Sequence, residues 1–411
     1  MELLSQTVMR NTLLNLLNEG LRAVDGEQRV FDSLNNLSQK DLHLIAVGKC
    51  AMAMAGGAYR ACGEKIVSSF IVTKDEAFDI ALNQYPQVSF MTSSHPVPDE
   101  RSLAAGDALL QYIASTPPRA NMLLLISGGT SSLVEVLPDG VTLKDIQKLN
   151  QWLLAHHYSI HEINAVRKQL SLIKGGGLLH YLGARHCDVK LISDVPGDVV
   201  ASIGSGWCFP APVEFDVPQG LPDWIHQLLA TQSGVKQAVS SSIHSETIAS
   251  NKMAREAIAD EVKRLGLAVY HHEPIVTGNV EAVACEFTEQ LLQGDPGVYI
   301  WGGETTVSLP KNPGRGGRNQ HLALLVAQGL QGYENIVFLS VGSDANDGCT
   351  EDAGAIVDGR TIQRGGEAGL VVNDYIQRAD AGTYLEQTED LIHLGATGTN
   401  VMDLMLAIKV S

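Results

Sequence analysis

Position 49 is a lysine at the point where an apolar run gives way to a small-residue stretch, VGKCAMAMA. Gly48 allows a tight strand-to-helix turn and places Lys49 at a helix start. A helix dipole disfavours a cation there. The placement makes sense if an anion such as a phosphate sits between the ammonium and the helix N-terminus. A solvated loop lysine is the plainer alternative. The stretch ISGGTSSL (126–133) reads as a phosphate cradle. Gly128 and Gly129 let backbone N–H groups approach an anion, and the hydroxyls of Thr130, Ser131 and Ser132 add donors. An ordinary glycine turn with Ser/Thr caps has the same composition. In SDVPGD (193–198), Asp194 and Asp198 flank a Pro-Gly turn. Mg²⁺ takes one or two such carboxylates together with phosphate oxygens. Either could instead accept a proton from a hydroxyl, or the pair could form a simple Asx turn.

The most distinctive stretch is GGETTVSLPKNPGRGGRNQ (302–320). Glu304 ends an apolar run, Arg315 and Arg318 lie among glycines, and Asn319 and Gln320 enter a helix. Glycines beside arginines suggest a mobile loop that carries guanidinium groups onto a carboxylate or phosphate. GSDANDG (342–348) offers Asp344 and Asp347, and GATGTNVMDL (395–404) offers Thr397, Thr399 and Asn400. His156, His157 and His161 lack a Cys or carboxylate at zinc spacing and read as a polar helix face.

These residues sit where runs without alternation end. Apolar stretches at 42–48, 69–73, 121–127 and 189–195 predict strands buried on both faces of a parallel sheet. Helical stretches separate them, including 103–116, so the class is α/β in three layers, α/β/α. In such sheets ligands bind beyond the carboxyl ends of the strands. The pattern breaks between 204 and 242, where Gly204, Gly206, Pro210, Pro212, Pro218 and Pro222 crowd a stretch ending in Ser240–Ser242. That predicts two domains, 1–242 and 243–411. The second half restarts with a helix from Asn251, a strand at 267–272, and further strands at 297–303, 335–343 and 391–399. At the N-terminus, Leu13, Leu14, Leu16, Leu17 and Leu21 fit one face of an amphipathic helix.

Composition excludes several functions. The 411 residues carry 46 acidic against 29 basic side chains, a formal charge of −17. General electrostatic binding to nucleic acid or to an anionic membrane surface is excluded. No apolar run reaches the length of a membrane span. The first residues lack the basic region of a signal peptide. Six Cys form no C-x-x-C pair and read as reduced thiols of a cytoplasmic protein. There is no P-loop motif, no G-x-G-x-x-G fingerprint and no G-x-S-x-G elbow.

Taken in order, these stretches resemble the class II glycerate kinases, ATP-dependent glycerate 2-kinases. The resemblance rests on VGKCAMAMA, SHPVPDE, LISGGTSSL, INAVRKQLSLIKGGGL, SDVPGD, IASN, GGETTV, GRGGRNQ, DAGAIVDG and TGTNVMDL, and covers nearly the whole chain. It implies a Rossmann-like N-terminal domain and a smaller α/β domain with a mixed sheet, with the active site in the cleft between them. It also implies ATP, a divalent metal such as Mg²⁺, and transfer of the γ-phosphoryl group to the 2-hydroxyl of D-glycerate. By motif, Lys49 matches the family's catalytic lysine and Asp194 its essential aspartate. An arginine of GRGGRNQ matches its phosphate- or substrate-binding arginine, Arg318 being preferred over Arg315.

On this reading Gly128–Ser132 cradles the ATP phosphates with Glu304 and Asn319 nearby. Asn400, Lys49, Arg315 and Arg318 contact substrate. Asp194, Asp198 and Asp344 are the metal-ligand candidates. The chain departs from the family pattern at Thr130 and Gly177, where Gly and Arg are usual. It departs again at Trp207, where Pro is usual, and at Asp344–Gly348, where Asp-Gly is usual. These departures bear on the acceptor more than on the phosphoryl chemistry. The alternatives are an NAD(P)H-dependent hydroxypyruvate reductase, a kinase of a related acid such as tartronate, and a non-catalytic sensor of hydroxy acid and nucleotide. The oligomeric state is left open, a homodimer included.

Overall fold

The computed structural model describes residues 5–35, 37, 39–74, 82, 84–85, 87–156, 158, 160–210, 218, 220–230 and 242–411. His157, Pro212, Ser240 and Ser241 lie outside the described residues. The chain divides into two compact units. One is Gly26–Ile248, and the other joins the residues up to Asp25 to Ala249–Ser411.

The first unit is built on a six-stranded sheet. Its strands are β1 (Leu42–Val47), β2 (Ile66–Thr73), β3 (Val88–Thr92), β4 (Asn121–Ile126), β5 (His186–Ile192) and β6 (Ser242–Ala249), in the order β3-β2-β1-β4-β5-β6. β1 is parallel to β2 and β4, β2 to β3, and β4 to β5. The central strands are nearly all buried, as strands covered on both faces must be. Ile45, Val47, Phe70, Leu124, Ile126 and Leu191 form their core together with Trp207. This is the doubly wound, Rossmann-like order. The winding reverses between β1 and β4, which opens a crevice beyond their carboxyl ends. The helix Glu100–Ser115 leads into β4 and starts at a capping box made by Asp99 and Ser102.

The second unit carries a mixed sheet. Its strands are β7 (Val269–His271), β8 (Val276–Asn279), β9 (Gly297–Thr306), β10 (Ile336–Gly342), β11 (Gly354–Asp358), β12 (Leu391–Ile392) and β13 (Asp403–Lys409). The order is β12-β11-β10-β13-β9-β7, with β8 also on β9. β13 runs antiparallel between β9 and β10, while β7 and β8 are parallel to β9. The strand expected over 391–399 keeps only Leu391 and Ile392. Beyond them the Gly- and Thr-rich segment becomes a loop, where Thr397 Oγ1 donates to the Ser343 carbonyl at 2.6 Å.

The expected division at 242/243 moves to 248/249, because 242–249 is strand β6 of the first sheet. The N-terminal helix, Gln6–Ala23, also changes sides. Met9, Leu13, Leu16, Leu17 and Leu21 are buried and Leu14 is half-buried. Gly20 lies so close to the helix Asn251–Arg264 that a Cβ would sit 2.6 Å from Ile258 Cδ1. Arg10 bonds Asp358 at 2.6 Å and also Asp390. None of the six cysteines forms a disulfide. Among the described residues no helix is long and apolar enough to cross a membrane.

Candidate active site

The turn after β1 and the loop after β4 are locked together at the point where the winding reverses. Lys49 N donates to the Gly128 carbonyl at 2.8 Å, and Cys50 N donates to Ser127 Oγ at 3.0 Å. Gly48 has φ +132°, and a Cβ there would run into Ser127 Oγ and lie 2.8 Å from its carbonyl oxygen. Only glycine fits. A Cβ on Gly129, at φ +86°, would be 3.0 Å from His95 Cδ2 and 3.3 Å from Lys49 Cγ. The half-buried Lys49 side chain therefore lies along the Gly-Gly loop, with the His95 ring beside it.

The hydroxyls of that loop divide their work. Thr130 Oγ1 donates back to the Val47 and Ser127 carbonyls, and Ser132 Oγ to the Gly129 carbonyl. Both are buried, and their O–H groups are taken up in bracing the loop. Ser131 alone turns to other side chains: it accepts from Ser205 Oγ at 2.9 Å and from Arg167 Nη2 at 3.3 Å. Asp194 follows β5, the neighbour of β4, and so reaches the same edge of the sheet. Asp198 ends the following turn with φ +53°, and both carboxylates are half-buried.

In the second unit Arg318 opens the helix Arg318–Gly329. Its Nε and Nη2 hold both oxygens of the fully buried Asp403, at 2.6 and 2.9 Å, and Nη1 reaches Glu304 at 2.8 Å. Burial alone would weaken its hold on the proton. The hydrogen bonds and charge of Asp403, with Glu304 and Asp347, reverse this and raise its pKa above the usual value. Asn319 is buried; its backbone N–H and side chain donate to Asp347, and it accepts from Ser340 Oγ at 2.6 Å. Burial lifts the Asp347 carboxyl to about 7, against the backbone hydrogen bonds from Gln320 and Asn319. Asp344 is half-buried and Asn400 buried. Arg315 belongs to another cluster, bonded to Asp352 at 2.7 Å and Glu386 at 2.8 Å. The structure thus joins Arg318, Glu304, Asn319 and Asp347 into one network and sets Arg315 outside it.

Two family models match the chain: one described as a domain of unknown function (DUF4147) over residues 12–226, the other as the MOFRL family over residues 297–403. The chain is 32% identical to a D-glycerate 2-kinase of Thermotoga maritima over 98% of its length and 99% of the relative's. It is 28% identical to a glycerate 2-kinase of Pyrococcus horikoshii, covering 98% of each. The crystal structure of a Thermotoga maritima glycerate kinase superposes with a TM-score of 0.83 at 30% identity, over 97% of this chain and 99% of that one. The chain belongs to the class II glycerate kinase family.

Within this glycerate kinase family member, two of the departures turn out to be internal. Trp207 is 1% exposed, part of the first unit's core rather than of an open pocket. A Cβ on Gly177 would collide with the Leu172 carbonyl, so the backbone itself excludes an arginine there. Arg167 and His95 are the residues that sequence reasoning passed over. Both lie in stretches that carry the resemblance, and their closeness to the Gly-Gly loop is tertiary. Among the described residues no three His, Cys, Asp or Glu side chains gather as a metal set. The half-buried carboxylates of Asp194, Asp198 and Asp344 are hard oxygen donors of the kind that hold Mg²⁺ singly or in pairs alongside phosphate oxygens. The donor chemistry fits that ion.

Proposed function

We infer that this chain is an ATP-dependent glycerate 2-kinase, making 2-phosphoglycerate and ADP from D-glycerate. The observation that carries the reading is the locked apposition of Lys49 and the Gly128–Gly129 loop where the sheet winding reverses. An ammonium and glycine-exposed backbone there suit a transferring phosphoryl group.

The bond between the γ-phosphorus and the β,γ-bridging oxygen breaks, and that oxygen leaves with the bonding pair as part of ADP. A new bond forms from the γ-phosphorus to the glycerate 2-oxygen, whose proton passes to Asp194. Lys49 and Arg318 offset charge on the transferred group, as positioning and electrostatics dominate this chemistry. Arg318 is preferred to Arg315 because it shares its network with Glu304 and Asn319. Asn400 contacts substrate. Mg²⁺, when bound, neutralises phosphate oxygens, and Asp194, Asp198 or Asp344 would hold it. Six cysteines without a disulfide suit a reducing, cytoplasmic compartment.

The test is ADP release from ATP and Mg²⁺ with a panel of small hydroxy acids, including both glycerate enantiomers. D-Glycerate-dependent ADP formation is expected, with a product that enolase accepts directly. Turnover of tartronate alone would keep the kinase and change the acceptor. NADH consumption on hydroxypyruvate without ATP turnover would overturn the reading. Lys49→Ala and Asp194→Asn should each lower kcat about a hundredfold or more. Folded variants with kcat intact would remove these residues from the mechanism.

A further inference from the structure

Arg167 lies on the helix Ile160–Gln169 with its Nη2 on Ser131 Oγ at 3.3 Å. Its Nε is enclosed and has no hydrogen-bond partner among the described residues. No carboxylate among them stands within ion-pairing distance. Glu135 is the carboxylate whose charge acts on Arg167, and it is held by Lys174, itself fully buried. Two cations therefore share one anion. Arg167 is half-buried, and an enclosed guanidinium donor left unused costs free energy that a further anion would recover.

The surroundings supply more donors. Ser131 Oγ accepts from both Arg167 and Ser205, which leaves its own O–H to give. Ser205 is buried and sits in a run of three left-handed residues, Gly204, Ser205 and Gly206, at φ +56°, +61° and +67°. A serine held there is strained. The glycine turn opposite fixes it: Gly175 N donates to the Ser205 carbonyl at 2.9 Å, and Gly176 N to the Gly206 carbonyl at 2.7 Å. The backbone thus holds the Ser205 hydroxyl against Ser131.

We propose that Arg167, Ser131 and Ser205 form an oxyanion subsite beside the Gly128–Gly129 loop, which binds one anionic group of the reactants. This deepens the kinase reading and rests on it for the identity of the anion. Two reactant groups have the required chemistry: the carboxylate of the acceptor acid, and a phosphate of ATP.

The experiment uses the full chain with Arg167→Lys, which keeps the charge and loses the planar fork, and Ser205→Gly, which deletes the hydroxyl while relieving the left-handed strain. KM for D-glycerate and for ATP is measured separately, each at saturating partner, alongside the melting temperature. Both variants should raise one KM about ten- to a hundredfold with melting temperature and the other KM little changed. A rise for glycerate assigns the subsite to the carboxylate, and a rise for ATP assigns it to a phosphate. Unchanged KM values in folded variants overturn the subsite and leave the kinase standing. Equal losses for both substrates with a lowered melting temperature also overturn it, as a purely structural role. If Arg167→Lys fails to fold, Ser205→Gly decides by the same criteria. If the wild type shows no kinase turnover, calorimetric titration with inorganic phosphate separates the questions. Wild-type binding that is weakened in the variants upholds the subsite while the kinase reading falls; equal binding or none overturns the subsite.

Discussion

Replacing Gly48 by alanine tests whether the turn after β1 is the part that positions Lys49. At φ +132° an L-residue pays a backbone penalty of about 1–3 kcal/mol. The new Cβ would also run into Ser127 Oγ and stand 2.8 and 2.9 Å from the Ser127 carbonyl oxygen and carbon. Overpacking of that kind costs about 1–3 kcal/mol more. Gly48→Ala should therefore destabilise the first unit by about 2–5 kcal/mol, to be read from urea titrations followed by tryptophan fluorescence. The second consequence is catalytic. Relieving the overlap pushes the β4 loop away, and with it the bonds Lys49 N–Gly128 O and Cys50 N–Ser127 Oγ. A displacement near 1 Å lowers kcat about a hundredfold, measured where the variant is still folded. Adding Ser127→Ala removes the clash with Oγ but not the one with the carbonyl, so only part of the loss should return. A Gly48→Ala protein with stability within about 0.5 kcal/mol of wild type and an unchanged kcat would show that this turn does not position Lys49.

Lys174→Met leaves Glu135 buried without its ammonium and should cost about 3–5 kcal/mol, much of it restored in the double variant with Glu135→Gln; a single-variant loss below about 1 kcal/mol in urea melts would contradict this. Asp347 has a folded-state pKa of about 7 against 3.8, burial being the main cause. The folded chain thus holds that proton more tightly than the unfolded one. The stabilisation is full below about pH 4 and is lost as pH rises through about 7, up to roughly 4 kcal/mol across the window. Asp347→Asn should flatten that part of the stability–pH profile relative to wild type, and parallel profiles would show that Asp347 does not titrate there.

The strands that frame the switch point were readable because both their faces are buried. β1, β4 and β5 are nearly unbroken apolar runs, and their ends are marked by Gly48, Gly128 and Asp194. β6 carried no such signal, since most of Ser242–Ala249 faces away from the core. β13 is buried, yet it starts at Asp403, a polar side chain that the core accommodates through the two hydrogen bonds of Arg318. The first helix could not be allotted from sequence. Its apolar face shows that it packs, but its partner, the helix Asn251–Arg264, lies more than two hundred residues downstream. Lys49 and the Gly-Gly loop were legible as local turn chemistry. Arg167 was not, because its meaning depends on Ser131 and Ser205, brought to it by tertiary packing.

The distribution of charge gives these parts a common logic. With a formal charge of −17, the chain as a whole repels an anionic substrate and supplies no steering toward it. Recognition must then come from short-range donors held in place before the ligand arrives. The first unit has such donors: Lys49 tied through its own N–H to Gly128, and Arg167 bonded to Ser131. The second unit has the opposite balance. Around Arg318 stand Asp403, Glu304 and Asp347, so the guanidinium is already answered. A guanidinium answered in this way is held in one position, ready to meet developing negative charge without reorganising.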